Sequence, residues 1–153
     1  MSYNALEVQA MRLAITAARQ ARAAGDTPFG ATLVSAQGQI VHTSPNRQNT
    51  SNDCTAHAEL VLVREVMALY GASQLQGATV FASGEPCAMC SGALFWAGIA
   101  RVVYAATTHD IAEALGGPSL PARCAQVLAQ ASPAVTVEGE MLREEALVVL
   151  KSR

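Results

Sequence analysis

Charge is what this chain has least of. Only 14% of its 153 residues are Asp, Glu, Lys or Arg, the formal net charge is −2, and the basic residues form no runs. Such a surface is no electrostatic trap for a polyanion, so a nucleic-acid partner is not expected. Uninterrupted apolar runs are missing as well. The uncharged stretch 66–84 approaches the length of a membrane span, but Gly71, Ser73, Gln74, Gln76 and Gly77 break it, and no transmembrane helix is expected. No secretory h-region begins the chain, and there is no internal repeat or low-complexity tract. A reducing cytoplasm is therefore the expected setting, with the four cysteines free rather than paired.

What is present is apolar: 51% of the residues are hydrophobic, enough for one well-buried core, and a single domain over 1–153 is expected. Apolar spacing reads as a helix over 6–24, ended near Gly25, and a hairpin of 30–35 with 39–43 about Gln37-Gly38. The Asn-, Ser- and Thr-rich stretch 44–55 reads as a loop whose side chains bond nearby backbone. A helix over 56–70 stops at Gly71 and puts His57 in its first turn; a strand over 78–82 follows, then a helix from Pro86 to about Ala97. A strand at 101–105, a helix at 122–129, a strand at 135–138 and a helix at 141–151 complete the chain. Strands alternating with helices after a hairpin imply a five-stranded mixed sheet covered on both faces.

Two separated motifs carry chemistry: His57-Ala58-Glu59, and later Pro86-Cys87-Ala88-Met89-Cys90. One histidine and two cysteines are three ligands for a tetrahedral zinc, which leaves its fourth position for water; a closed structural site would need a fourth side chain. Cys87 and Cys90, three apart on one helix, share a face and can converge on one ion. Both sets open helices, whose positive ends favour thiolates and a developing hydroxide. Glu59 is not required as a ligand and stands beside the metal as a carboxylate that can move protons. A Cys-x-x-Cys pair alone is often redox-active or half of a structural site, but neither role explains a distant histidine with its glutamate.

Other conspicuous residues have plainer readings. His42 and His109 read as a strand-end and a loop histidine, Cys54 and Cys124 as structural thiols, and Arg12, Arg19 and Arg22 as a solvated helix face. Phe95 and Trp96 read as core or dimer-interface packing rather than as a substrate-stacking pair.

These motifs resemble the zinc-dependent cytidine deaminase superfamily. The likeness runs from Pro28-Phe29-Gly30-Ala31 through Thr55-Ala56-His57-Ala58-Glu59 and Glu85-Pro86-Cys87 to Arg101-Val102-Val103-Tyr104. Within it, the chain looks most like the branch of guanine, fungal-type cytosine and tRNA adenosine deaminases, with Thr50-Ser51-Asn52-Asp53 and Phe95-Trp96-Ala97 leaning toward guanine deaminase. The resemblance implies a three-layer α/β/α sandwich, usually dimeric, in which zinc activates water and Glu59 serves as base and then acid. It also implies that Asn46 bonds the substrate, that the Ala58 amide meets the attacking oxygen, and that Phe29 walls the pocket. Guanine deaminases of this type carry an acidic residue after the fourth strand. Here Gly116-Gly117-Pro118-Ser119 has none, and Asp110 and Glu113 are the carboxylates left to place. The C-terminal residues 147–153 lack the basic helix usual in the tRNA enzymes, and Cys54 stands where proline is common.

The expected function is hydrolytic deamination of a small free aminoheterocycle: a nucleobase such as guanine, or a related purine, pyrimidine or pterin. Adenosine deamination in tRNA is the alternative, and a catalytically silent zinc-stabilised dimer the third reading. Glu59 argues against the last, because a structural site has no use for an unliganded carboxylate.

Overall fold

In a computed structural model, which describes residues 2–152, the first element is α1 (Ala5–Ala24), fixed at both ends by local chemistry. The Asn4 side chain accepts from the Glu7 N–H while the Glu7 carboxylate accepts from the Asn4 N–H, a reciprocal cap, and Gly25 closes the other end at φ 91°. Its alanine-rich face lies so close to the sheet that a Cβ on Gly30 would collide with the Ala14 carbonyl and the Ala18 nitrogen. That closeness explains why strand β1 (Gly30–Val34) begins with glycine.

β1 pairs antiparallel with β2 (Ile40–Pro45) and, on its other edge, with β3 (Thr79–Gly84); β3, β4 (Arg101–Ala106) and β5 (Thr136–Glu138) run parallel. The sheet order is β2-β1-β3-β4-β5, the five-stranded mixed sheet expected from the element pattern. Side chains alternate between its faces. Phe81, Val103 and Val34 pack with α1 and with α6 (Arg143–Lys151). Val80, Val102 and Leu33 pack with α2 (Ala58–Tyr70), α3 (Ala88–Ala97) and α5 (Cys124–Leu128). Two apolar layers thus cover both faces. No helix among the described residues is long and apolar enough to cross a membrane.

Several boundaries differ from the sequence expectation. β2 runs through Ser44 and Pro45, so the loop starts at Asn46. A further helix, α4 (Thr108–Leu115), was not foreseen, and His109 lies in it rather than in a loop. α2 and α3 begin two residues later than expected, so His57 and Cys87 are the capping residues just outside their helices. Trp96 is not core: it is 83% exposed, in edge contact with Phe95. Cys54 is exposed rather than a buried structural thiol, whereas Cys124 is buried at the start of α5. His42 is inside β2, bonded to Glu65. Of the α1 arginines, Arg12 pairs with Glu145 and Arg22 donates to the Leu150 carbonyl, so they fasten α6 rather than only facing solvent.

Candidate active site

β3 ends at Gly84, and its extension Glu85-Pro86 delivers Cys87 to the cap of α3, with Cys90 in that helix's first turn. The 46–57 loop, held by the Asp26 carboxylate accepting from the Asn49 and Thr50 N–H groups, delivers His57 to the cap of α2. His57 Nδ1 then lies 3.6 Å from the Cys87 sulfur and 3.5 Å from the Cys90 sulfur. Zn–N of about 2.0–2.1 Å and Zn–S of about 2.3 Å at a tetrahedral angle require an N···S separation of about 3.6 Å. Donor type and spacing both fit zinc, and these three residues form the group able to hold an ion among the described residues.

The thiols and imidazole are strongly coupled. Hydrogen bonding from Cys90, with His57 beside it, brings Cys87 down to about 4 against the opposing effect of burial. The same bond and burial push Cys90 up. The Cys87 contact raises His57. Cys87 thus already favours its thiolate, and with the donors gathered at the positive ends of two helices the site is suited to a divalent cation.

Glu59 is 5% exposed, in the first turn of α2 and beside Cys90; burial raises it to about 7. It opens on a cavity of about 550 Å³ whose wall also includes His57, Cys87, Ala58, Phe29 and Asn46. All seven residues singled out from the sequence except the buried Cys90 thus line one cavity. Ala58 is the first residue of α2, where a helix leaves its N–H groups without an intrahelical partner. Phe29 packs against Gly84, where any Cβ would strike its ring. The Asn46 amide is 1% exposed and engaged with Gln48: its Nδ2 donates to Gln48 Oε1 at 2.7 Å and its Oδ1 accepts from the Gln48 N–H at 2.9 Å.

Neither candidate acidic residue reaches the cavity. Asp110 caps α4 and is gripped by Arg143 at 2.7 and 2.8 Å; Glu113 is exposed and pairs with His109. Phe95 and Trp96 do not line it either. Sequence reasoning missed another part of the wall: Thr108, Ile111 and Leu115 of α4, then Pro118 and Leu120 of the following segment. It also gave no role to Glu85, a cavity-wall carboxylate whose position directly before Pro86-Cys87 was the available signal.

The model of the cytidine and deoxycytidylate deaminase zinc-binding region matches residues 5–106. Guanine deaminase of Bacillus subtilis is 46% identical over 87 residues, 57% of this chain and 55% of that protein. Probable cytosine deaminase of Schizosaccharomyces pombe is 32% identical over 142 residues, 90% of this chain and 86% of that protein. A solved structure from work on tRNA:A34 deaminases that edit A to I at the wobble position superposes with a TM-score of 0.76 at 30% identity, covering 92% of this chain and 98% of its own.

Proposed function

This chain belongs to the cytidine and deoxycytidylate deaminase zinc-binding family, and from that premise we propose that it hydrolytically deaminates a small free aminoheterocycle, releasing ammonia. The observation that carries the proposal is Glu59: a buried carboxylate on the cavity wall, beside the three metal donors and not one of them. His57, Cys87 and Cys90 would hold the ion. When bound, zinc supplies Lewis acidity that lowers the pKa of water from about 15.7 to about 7. Glu59 takes one proton from the attacking water and gives it to the ring nitrogen; as the carbonyl forms it takes the second proton from that same oxygen and delivers it to the departing amine, which leaves as ammonia. The Ala58 N–H offers a hydrogen bond to the attacking oxygen, and Asn46, by exchanging its bonds to Gln48, can meet the polar edge of the ring. Burial and the apolar wall of Phe29, Ile111 and Leu115 keep bulk water from the reaction.

A free base is supported over a polynucleotide by the charge of the cavity. Among the described residues its lining includes no lysine or arginine, so nothing there would neutralise a phosphate. The tRNA reading is kept because of the end-to-end match to the tRNA:A34 deaminase structure. Guanine is the first compound to try, although among the described residues the carboxylates on the wall are Glu59 and the fully bonded Glu85. The test is ammonia release by zinc-loaded protein from a panel of free bases, nucleosides, pterins and tRNA. Release from a free heterocycle and not from tRNA is expected; release from tRNA alone would replace this reading with the second.

A further inference from the structure

One buried carboxylate gathers both ends of a stretch that lines the cavity. The Glu85 side chain is 1% exposed, and each of its oxygens accepts two donors. Oε1 takes the Thr108 N–H at 2.8 Å and Arg123 Nη2 at 3.0 Å. Oε2 takes Arg123 Nε at 3.2 Å and the Cys124 N–H at 3.3 Å. Thr108 is the first residue of α4 and Cys124 the first of α5. Everything between them is α4 and the segment 116–123, and residues of that stretch line the cavity onto which Glu59 opens.

The segment has little else to hold it. Among the described residues, none forms a hydrogen bond with 117–122, Gly116 and Gly117 sit at φ 65° and 82°, and Leu120 is 60% exposed. Yet Gly116, Pro118, Ser119, Leu120 and Ala122 line the cavity. At its far end stands Arg123, half exposed, whose guanidinium bridges Glu85 and the Tyr104 hydroxyl.

We propose that Glu85 and Arg123 are a positioning pair that fastens the segment 116–122 over the cavity, so that how tightly the substrate is held depends on a pair whose polar atoms are bonded to each other and to the ends of that segment's flanking helices. The proposal rests on the deaminase reading for its substrate, but not for its geometry. Breaking the pair frees one end of the wall, so substrate leaves more readily, while the metal donors and Glu59, on α2 and α3, keep their places.

The experiment compares zinc-loaded wild type with Arg123→Gln, Arg123→Lys, Glu85→Gln and the Glu85→Gln/Arg123→Gln double variant. Proteinase K cleavage within 116–122 should rise several-fold in Arg123→Gln, fall back in Arg123→Lys, and be no faster in the double variant than in the worse single one. With guanine, or whichever panel base releases ammonia, KM should rise on the order of fivefold to tenfold in Arg123→Gln with kcat within about twofold of wild type. Arg123 is half exposed, so its variants remain informative if Glu85→Gln does not fold. Unchanged cleavage in Arg123→Gln overturns the proposal, as does faster cleavage with unchanged KM, or a fall in kcat alone. If no heterocycle is turned over, the deaminase reading fails while the cleavage rates still decide whether the pair fastens the wall.

Discussion

At the residue scale, the proposed chemistry rests on four side chains, His57, Cys87, Cys90 and Glu59, all singled out by residue type and spacing. His57, Cys87 and Cys90 are scattered in sequence, yet His57 Nδ1 comes within 3.6 Å of both sulfurs. Purified protein should contain about one zinc per chain, and Cys87→Ala or His57→Ala should lose it. Because an ion bound only by the folded chain adds its binding energy to folding, chelation should lower Tm; an unchanged Tm on complete zinc removal would separate the metal from the fold. Asn46→Ala should weaken turnover by about tenfold, the usual size of one lost hydrogen bond in a water-excluded pocket, and kinetics indistinguishable from wild type would remove it from the ring-binding role. The donors were legible because zinc chemistry restricts residue type and spacing. Glu85 was not, because a buried carboxylate's role depends on which distant N–H groups the fold brings to it.

At the scale of elements, helix ends organise both the site and its surroundings. The cap positions of α2 and α3 carry His57 and Cys87, a shift of two residues from the expected first turn that leaves the metal group at the helices' positive ends. α4 escaped the sequence reading because it is only eight residues long and follows a strand without a break, although Thr107 and Asp110 form a capping box. Asp110 is held well below the usual carboxylate range, first by Arg143 and then by the cap N–H. A depressed folded-state pKa contributes stability that is complete above the unfolded value of about 4 and lost as pH falls below it. Asp110→Asn should therefore cost about 1–3 kcal/mol at pH 7 and leave a shallower loss of stability below pH 4, both read by denaturant melts. A pH 7 melt equal to wild type would leave Arg143 and the cap without energetic weight. Where α1 meets β1, Gly30→Ala should destabilise by about 1–3 kcal/mol, since the added methyl meets the Ala14 carbonyl, the Ala17 Cβ and the Ala18 nitrogen, none of which can swing aside; an unchanged melt would mean α1 is free to shift.

At the scale of the whole molecule, the alternation of strands and helices was enough to foresee the mixed sheet and its two covering layers, because each strand's side chains must find an apolar partner on both faces. The wall over the cavity was not foreseeable in the same way. Residues 116–122 have no periodicity, and their place follows from where α4 ends and α5 begins. The sparse, scattered charge has a consequence for substrate choice: turnover of a free base should change less than about twofold between 50 and 200 mM salt, whereas a nucleic-acid substrate contacted through several phosphates would lose orders of magnitude in affinity. A steep salt dependence would point to a polynucleotide.

The central claim is that Glu59 moves protons in a zinc-dependent hydrolytic deamination, and it is tested most directly by ammonia release from the responsive heterocycle with wild type and Glu59→Ala side by side, each with its zinc content measured. The expected result is an unchanged zinc content and melting curve, with turnover lower by on the order of a hundredfold or more. Wild-type turnover in zinc-replete Glu59→Ala would contradict the account.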